Sequence, residues 1–407
     1  MAGDKLGEIK MQELRQKLNA LNEKYILISL FLLALLMRVL TLYADISVGG
    51  IGYGGDVIRF SAWADEIKIK GVGYFSENSD KPYYWGYPLI LYLCRTIFHS
   101  DISALVVNII ATSVAAVLIY RTAVMATDSR CIGLLTGVLY AYSPQLINWN
   151  SALTSDSLGI FFVILCFYLY YRQKTEDGGK KKLLIVLLII SELIFFLVRT
   201  TAVIAILYIT FGLLKQLDKK RRIIALSIIC FLGICVLAFL FLSSHGEHGL
   251  AERAEYYISL FESGTIVYET ETFVYPVHES FIGNWRFIFD IIGIVICRFV
   301  FFWAVSFDYY TIVDNIMGYG MLLPVFITSF IGIGLAVKNK HKRLIFMAGF
   351  ILMTNIVQSF FEIDGGYRYR LPVLPFVLIF SSYCIYCLIK LYYEKKGRYI
   401  DENKITA

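Results

Sequence analysis

Ten apolar runs, most of them long enough to cross about 30 Å of hydrocarbon, recur along this chain and leave it few ways to fold. They are Tyr25–Tyr43, Ile102–Tyr120, Ile132–Ile147, Leu153–Tyr171, Leu183–Val198, Ala202–Leu214, Ile223–Leu242, Ile316–Val337, Leu344–Phe361 and Leu371–Tyr393. Ala202–Leu214 is short and is expected to recruit its flanks. With 58% hydrophobic and 17% charged residues over 407 positions, and a mean hydropathy of +0.65, the chain carries more apolar surface than one soluble core can hide. The expected fold is therefore an all-α integral membrane protein with about ten transmembrane helices and interfacial helices on the outer face.

Lysine and arginine fix the expected orientation, because cationic loops stay on the cytoplasmic side. Clusters stand at Lys5–Lys24, Arg172–Lys182, Lys215–Arg222, Lys338–Arg343 and Lys395–Arg398. All five share one side if the ten runs alternate, which puts both termini in the cytoplasm. The expected division is a cytoplasmic tail over 1–24, a polytopic membrane domain over 25–393 with large outer segments at 44–101 and 243–315, and a second tail over 394–407. Phe287–Ala304 is apolar enough to cross, but a crossing would reverse Lys338–Arg343. It reads as an interfacial helix with Arg286 and Arg298 at headgroup level and Trp303 as anchor, a buried crossing being the competing reading. Met1–Lys24 is polar, with Leu6, Ile9, Leu14 and Leu18 at near-helical spacing, so the first apolar run is expected to remain as an anchor.

The net charge of +6 is mostly this topology signal and gives no ground for nucleic-acid binding. Most of the eight cysteines lie in apolar runs. Cys384 and Cys387 form a C-x-x-C pair that reads as buried hydrophobes rather than as a redox or zinc site. His245-Gly246-Glu247-His248 offers three potential zinc ligands, and solvated loop residues are the preferred reading. No metal site is expected.

Chemistry is expected in the outer segments, since the run centres are nearly free of charge, Glu192 excepted. Gly49–Gly55 leads into Asp56 at the start of a helical run, a pattern that serves capping as well as general-base catalysis. Tyr83-Tyr84-Trp85-Gly86-Tyr87-Pro88 is an aromatic cluster of the kind that marks a membrane interface or stacks on sugar rings. Asp156 follows Tyr142-Ser143-Pro144 and a short loop, where it either caps a helix or acts at the surface. Arg199, Arg368 and Arg370 converge with these carboxylates on one face, as handling a phosphate beside a reacting hydroxyl would require.

In order along the chain, Arg38, Asp56, Ala64, Gly71, Trp85–Pro88, Tyr142–Pro144, Thr154–Asp156, Arg199 and the Arg-Tyr-Arg-Leu-Pro-x-Leu-Pro stretch Arg368–Pro375 resemble the GT-C glycosyltransferases. The likeness is to the branch holding the protein O-mannosyltransferases and the bacterial aminoarabinose transferase of lipid A. The family often has an acidic pair with a tyrosine four residues on, where this chain has Asp56-Val57 and Phe60. The resemblance implies inverting transfer of a sugar from a polyprenyl-phosphate donor to an acceptor hydroxyl on a glycan, lipid or protein. Asp56 would be the base, and Asp156 would orient hydroxyls or assist a divalent cation if one is used. Arg199, Arg368 and Arg370 would hold the donor phosphate, with Trp85, Tyr87 and Tyr369 against sugar or acceptor. A bacterial plasma membrane is the expected location. A polysaccharide polymerase or ligase, and a lipid-linked sugar flippase or transporter, stand as the other readings.

Overall fold

A computed structural model describes residues 21–48, 55–79, 81–223, 258–259, 261–268, 274–277, 287–305, 312–361, 363–364 and 368–405. Gly49–Gly54, the run Ile223–Leu242 beyond its first residue, His245–His248, Arg286 and the amphipathic N-terminal stretch lie outside them.

The described elements are helices apart from one two-residue parallel pairing, Val267–Tyr268 with Ile363–Asp364, and an isolated antiparallel bridge between Thr265 and Val274. The principal helices are α1 (Glu23–Ser47), α2 (Gly55–Lys70), α3 (Gly86–Phe98), α4 (Ile102–Thr127), α5 (Arg130–Tyr142) and α6 (Asp156–Arg172). They continue as α7 (Gly178–Val198), α8 (Ala202–Leu214), α9 (Phe287–Phe301), α10 (Leu323–Lys338), α11 (Lys342–Gln358) and α12 (Leu374–Ile405). Four stretches among the described residues are long and apolar enough to cross a membrane: Glu23–Ser47, Ile102–Thr127, Asn315–Lys338 and Leu374–Tyr393. Helices α5 and α8 are apolar but shorter. The third apolar run ends as a helix at Tyr142, not Ile147, because Ser143 turns to extended backbone ahead of Pro144.

Leu32, Leu36, Val39 and Leu40 on α1, with Leu187, Ile190 and Leu193 on α7, are exposed on an otherwise well-packed molecule. Such apolar stripes need lipid, and this is a membrane protein. Its interior is built around α4 and α6, which pack on each other and on α5, α7 and α1. On the far side α10 lies against α12, joined by Ser329 Oγ to the Val377 carbonyl at 2.8 Å and by the Thr328 and Ser381 hydroxyls at 2.7 Å. Without water competing for those groups, short polar side chains of this kind hold membrane helices together.

The bundle has two distinct ends. At one, Arg343 pairs with Asp128 at 3.0 Å, Tyr171 Oη donates to the Arg343 carbonyl and Gln173 bonds Gln216. The starts of α1 and α11 and the ends of α4, α6 and α8 therefore lie together, with their lysines and arginines. At the other end, Asp45 at the end of α1 pairs with Ser151, and the start of α6 meets the end of α7.

Helix α9 differs from the sequence expectation in how its cation is used. Arg298 is fully buried rather than set at headgroup level; it donates through Nε to the Thr265 carbonyl at 3.0 Å and lies over the Phe261 ring. Trp303 is half-buried and packs edge-on against Phe326 and Phe330. A desolvated guanidinium needs acceptors, and the 261–268 segment supplies one where headgroups would otherwise have to.

Candidate active site

Four separated parts of the chain meet at the second end of the bundle: the first turn of α2, the 143–156 loop, the end of α7 and the Arg368–Arg370 turn. Their meeting point is Asp156, the first residue of α6, whose side chain has no exposure. Arg199 Nη1 lies 2.6 Å from Asp156 Oδ1. Arg368 approaches side-on, with Nη2 3.0 Å from Oδ2 and Nε 3.4 Å from Oδ1. Charge-assisted bonds from both guanidinium groups thus occupy the buried carboxylate, the condition under which a charge tolerates burial. Helix ends add to this, because Asp156 sits at a positive helix start and Arg199 at a negative helix end.

Local sequence explains the geometry. Arg199 caps α7 in extended conformation, and its stem runs across α6 at Gly159, where a Cβ would stand 2.7 Å from Arg199 Cδ. A polar ladder beneath holds the 143–156 loop. Arg38, fully buried, donates through Nε to Thr112 Oγ1 at 2.9 Å and lies over the Tyr140 ring. Thr112 in turn bonds Asn150 Oδ1 at 2.5 Å, and Asn150 Nδ2 donates to the carbonyls of Leu146 and Ile147. The loop therefore holds Trp149 in place, helped by Ser157 Oγ donating to the Trp149 carbonyl, and Arg368 rests over the Trp149 ring at 5.0 Å.

Asp56 is the second residue of α2, inside the helix rather than at its cap. It pairs with Arg368 through Nη1 and with Arg59 one turn on at 3.3 Å. Its side chain is 27% exposed, against none for Asp156. Arg368 thus bridges the two carboxylates, using one edge of its fork for each. Burial alone would weaken its hold on its proton, but the Asp156 and Asp56 charges more than offset that and keep it above the ordinary arginine range.

Residues 80–246 match a family model for dolichyl-phosphate-mannose-protein mannosyltransferase. The matched stretch is less than half of the chain; it takes in Trp85–Pro88, Tyr142–Pro144, Asp156 and Arg199, and leaves out Asp56 and Arg368. No curated protein matches the sequence.

Of the candidate residues, Asp56, Asp156, Arg199 and Arg368 come together. Arg370 does not join them. It is buried and donates to the Phe302 carbonyl and Gln145 Oε1, each at 3.2 Å, and to the Ala304 carbonyl, beneath the Phe326 ring. Tyr369 between them is half-buried. Tyr87 is fully buried, with its hydroxyl accepting from Asn108, and the Trp85 indole donates to the Asn78 carbonyl. Neither ring faces the carboxylates openly. Trp149 and Arg59 were missed, although Arg59 stands one helical turn from Asp56 and was findable by spacing.

The described residues of the site do not fit a divalent cation. Asp156 offers its oxygens to two guanidinium groups, and among the described residues no group of three or more His, Cys, Asp or Glu comes together. Acid and arginine side by side suit an anionic ligand next to a proton acceptor.

Proposed function

We propose that the protein transfers a sugar from a polyprenyl-phosphate donor to an acceptor hydroxyl, with inversion, at the end of the bundle that carries Asp156. The observation that carries this is the Arg368 bridge: one guanidinium shared by a buried carboxylate and a more exposed one, with Arg199 beside it. A donor phosphate entering next to Arg199 and Arg368 competes with Asp56 for Nη1. When the phosphate takes that donor, the Asp56 carboxylate is released to act as base.

The bond changes balance without further groups. Asp56 takes the proton of the acceptor hydroxyl, whose oxygen forms the new bond to the sugar C1 as the bond from C1 to the phosphate oxygen breaks. The leaving polyprenyl phosphate keeps that electron pair and gains charge, which Arg199 and Arg368 stabilise most in the transition state. Asp156 acts on the arginines rather than on substrate, fixing both forks toward the phosphate. Tyr369, on the same turn as Arg368, lies near enough in sequence to contact the transferred sugar.

A carrier with a long hydrocarbon chain suits a site at the lipid boundary. The ten-span topology, with the site outside and both termini in the cytoplasm of a bacterial plasma membrane, is supported by the collection of lysines and arginines at the opposite end. The test is to supply the purified full-length protein, in lipid, with tritium-labelled polyprenyl-phosphate sugars carrying mannose, glucose, galactose or arabinose. Release of label from at least one of them, lost in Asp56→Asn, is the expected result. No release from any would overturn the proposal.

A further inference from the structure

The outward stripe of α2 carries a feature that transfer to a simple hydroxyl does not use. Asp56, Arg59 and Trp63 stand at helical spacing on one face, Arg59 being paired with Asp56 at 3.3 Å and lying over the Trp63 ring at 5.9 Å. Beside Trp63 the Tyr84 ring leans against it, 5.0 Å away at a tilt of 36°, and both rings are partly exposed, so that together they leave a small aromatic patch at the surface. Phe60 meets both edge-on from behind, at 5.6 and 6.3 Å, and Tyr87 backs Phe60 at 5.1 Å.

This patch is keyed to the reaction centre. Phe60 and Tyr87 are buried together with Leu158, two residues past Asp156, and Val198, the residue before Arg199. Gly86 lets the chain close onto this point, since a Cβ there would stand 2.9 Å from the Leu197 carbonyl oxygen. The elements that fix the two aromatic rings are therefore the ones that fix Asp156 and Arg199.

Resting on the reading above, we infer that Trp63 and Tyr84 bind a sugar ring of the acceptor, one unit away from the ring whose hydroxyl reacts at Asp56. The acceptor is thus a carbohydrate of at least two linked sugars. Seven residues of helix separate Asp56 from Trp63 by about 10 Å, the reach of two linked rings rather than one. Aromatic faces match the apolar C–H face of a pyranose, while Asp56 and Arg59 at its edge match hydroxyl groups. A peptide bound by strand addition would instead need unpaired backbone groups, and a helix face has none to offer.

The test uses native membranes holding the full-length protein, the labelled donor that supports turnover, and fractionation of the labelled product. Label in protease-resistant carbohydrate of more than one sugar is expected. Label on serine or threonine of peptides, or on a lipid without other sugar, would overturn the inference while leaving the transfer reaction standing; no release from any donor would bring down the reaction itself, and the inference with it. With the isolated acceptor, Trp63→Ala should raise the acceptor concentration for half-maximal rate by about tenfold, as loss of a ring contact implies, with that for donor unchanged and Trp63→Phe close to wild type. A change shared equally by donor and acceptor, or no change, would also overturn it.

Discussion

Asp56 and Asp156 are both carboxylates at the start of a helix, both paired with Arg368, and they sit in opposite circumstances. Asp156 is sealed in and is claimed by two arginines, whereas Asp56 lies on a surface helix and shares its second partner with solvent. A carboxylate so completely used has nothing left to accept a proton from a substrate, while one that is partly exposed and held by one contact from each of two arginines does. Position at a helix start thus says little about role; the number of partners and the access of a substrate decide it.

The comparison is broken most directly by removing the buried member. Asp156→Asn leaves two guanidinium groups facing a neutral amide, and losing one side of a buried pair costs roughly 3–5 kcal/mol. A clear fall in the melting temperature of the lipid-embedded protein is expected; an unchanged melting curve would show that Asp156 does not hold the site. Asp56→Asn should do the reverse. The rate should fall by about 10²-fold or more, the usual worth of a general base, with little change in melting temperature and with donor binding no weaker, since the phosphate loses its competitor for Arg368. Retention of more than about a tenth of the wild-type rate would remove Asp56 from that role.

Arg368→Lys sharpens the contrast, because an ammonium cannot serve two carboxylates and a phosphate as a planar fork does. Losing one charge-assisted bond of roughly 1.5–3 kcal/mol should weaken donor use by about tenfold or more, and wild-type turnover with lysine would reduce the residue to a simple surface charge. The smallest effect on the reaction is expected from Arg370→Lys. It should lower the melting temperature through lost bonds to Phe302 and Ala304 while leaving the donor concentration for half-maximal rate unchanged. A donor effect as large as at Arg368 would place Arg370 at the phosphate after all.

Much of this was legible in the sequence. Helices α1, α4 and α12 followed from apolar length alone, since a run bounded by charge has few alternatives in lipid. The approach of Asp56, Asp156, Arg199 and Arg368 followed from their shared place on the expected outer face, in an outer segment or close to the outer ends of apolar runs. What each arginine does was not legible, because Arg368 and Arg370 differ by two residues and one lands on carboxylates, the other on carbonyls. Tertiary neighbours settle that. Tyr87 and Arg298 went the same way: an aromatic before a span, and an arginine within an apolar run that charge parity keeps from crossing, both suggest an interface, yet packing with Phe60 and with the 261–268 segment draws both inside.

Arg368 also sets an order on biosynthesis. The ribosome makes Asp56 and Asp156 long before Arg368, which is separated from Asp156 by 212 positions. In that interval Asp156 has Arg199 to turn to, but Asp56 has only Arg59. The nascent chain therefore carries an incompletely neutralised acid pair until the segment with Arg368 has been made and packed, and that segment closes the charge balance. A chain stopped short of Arg368 lacks the one cation that both acids share.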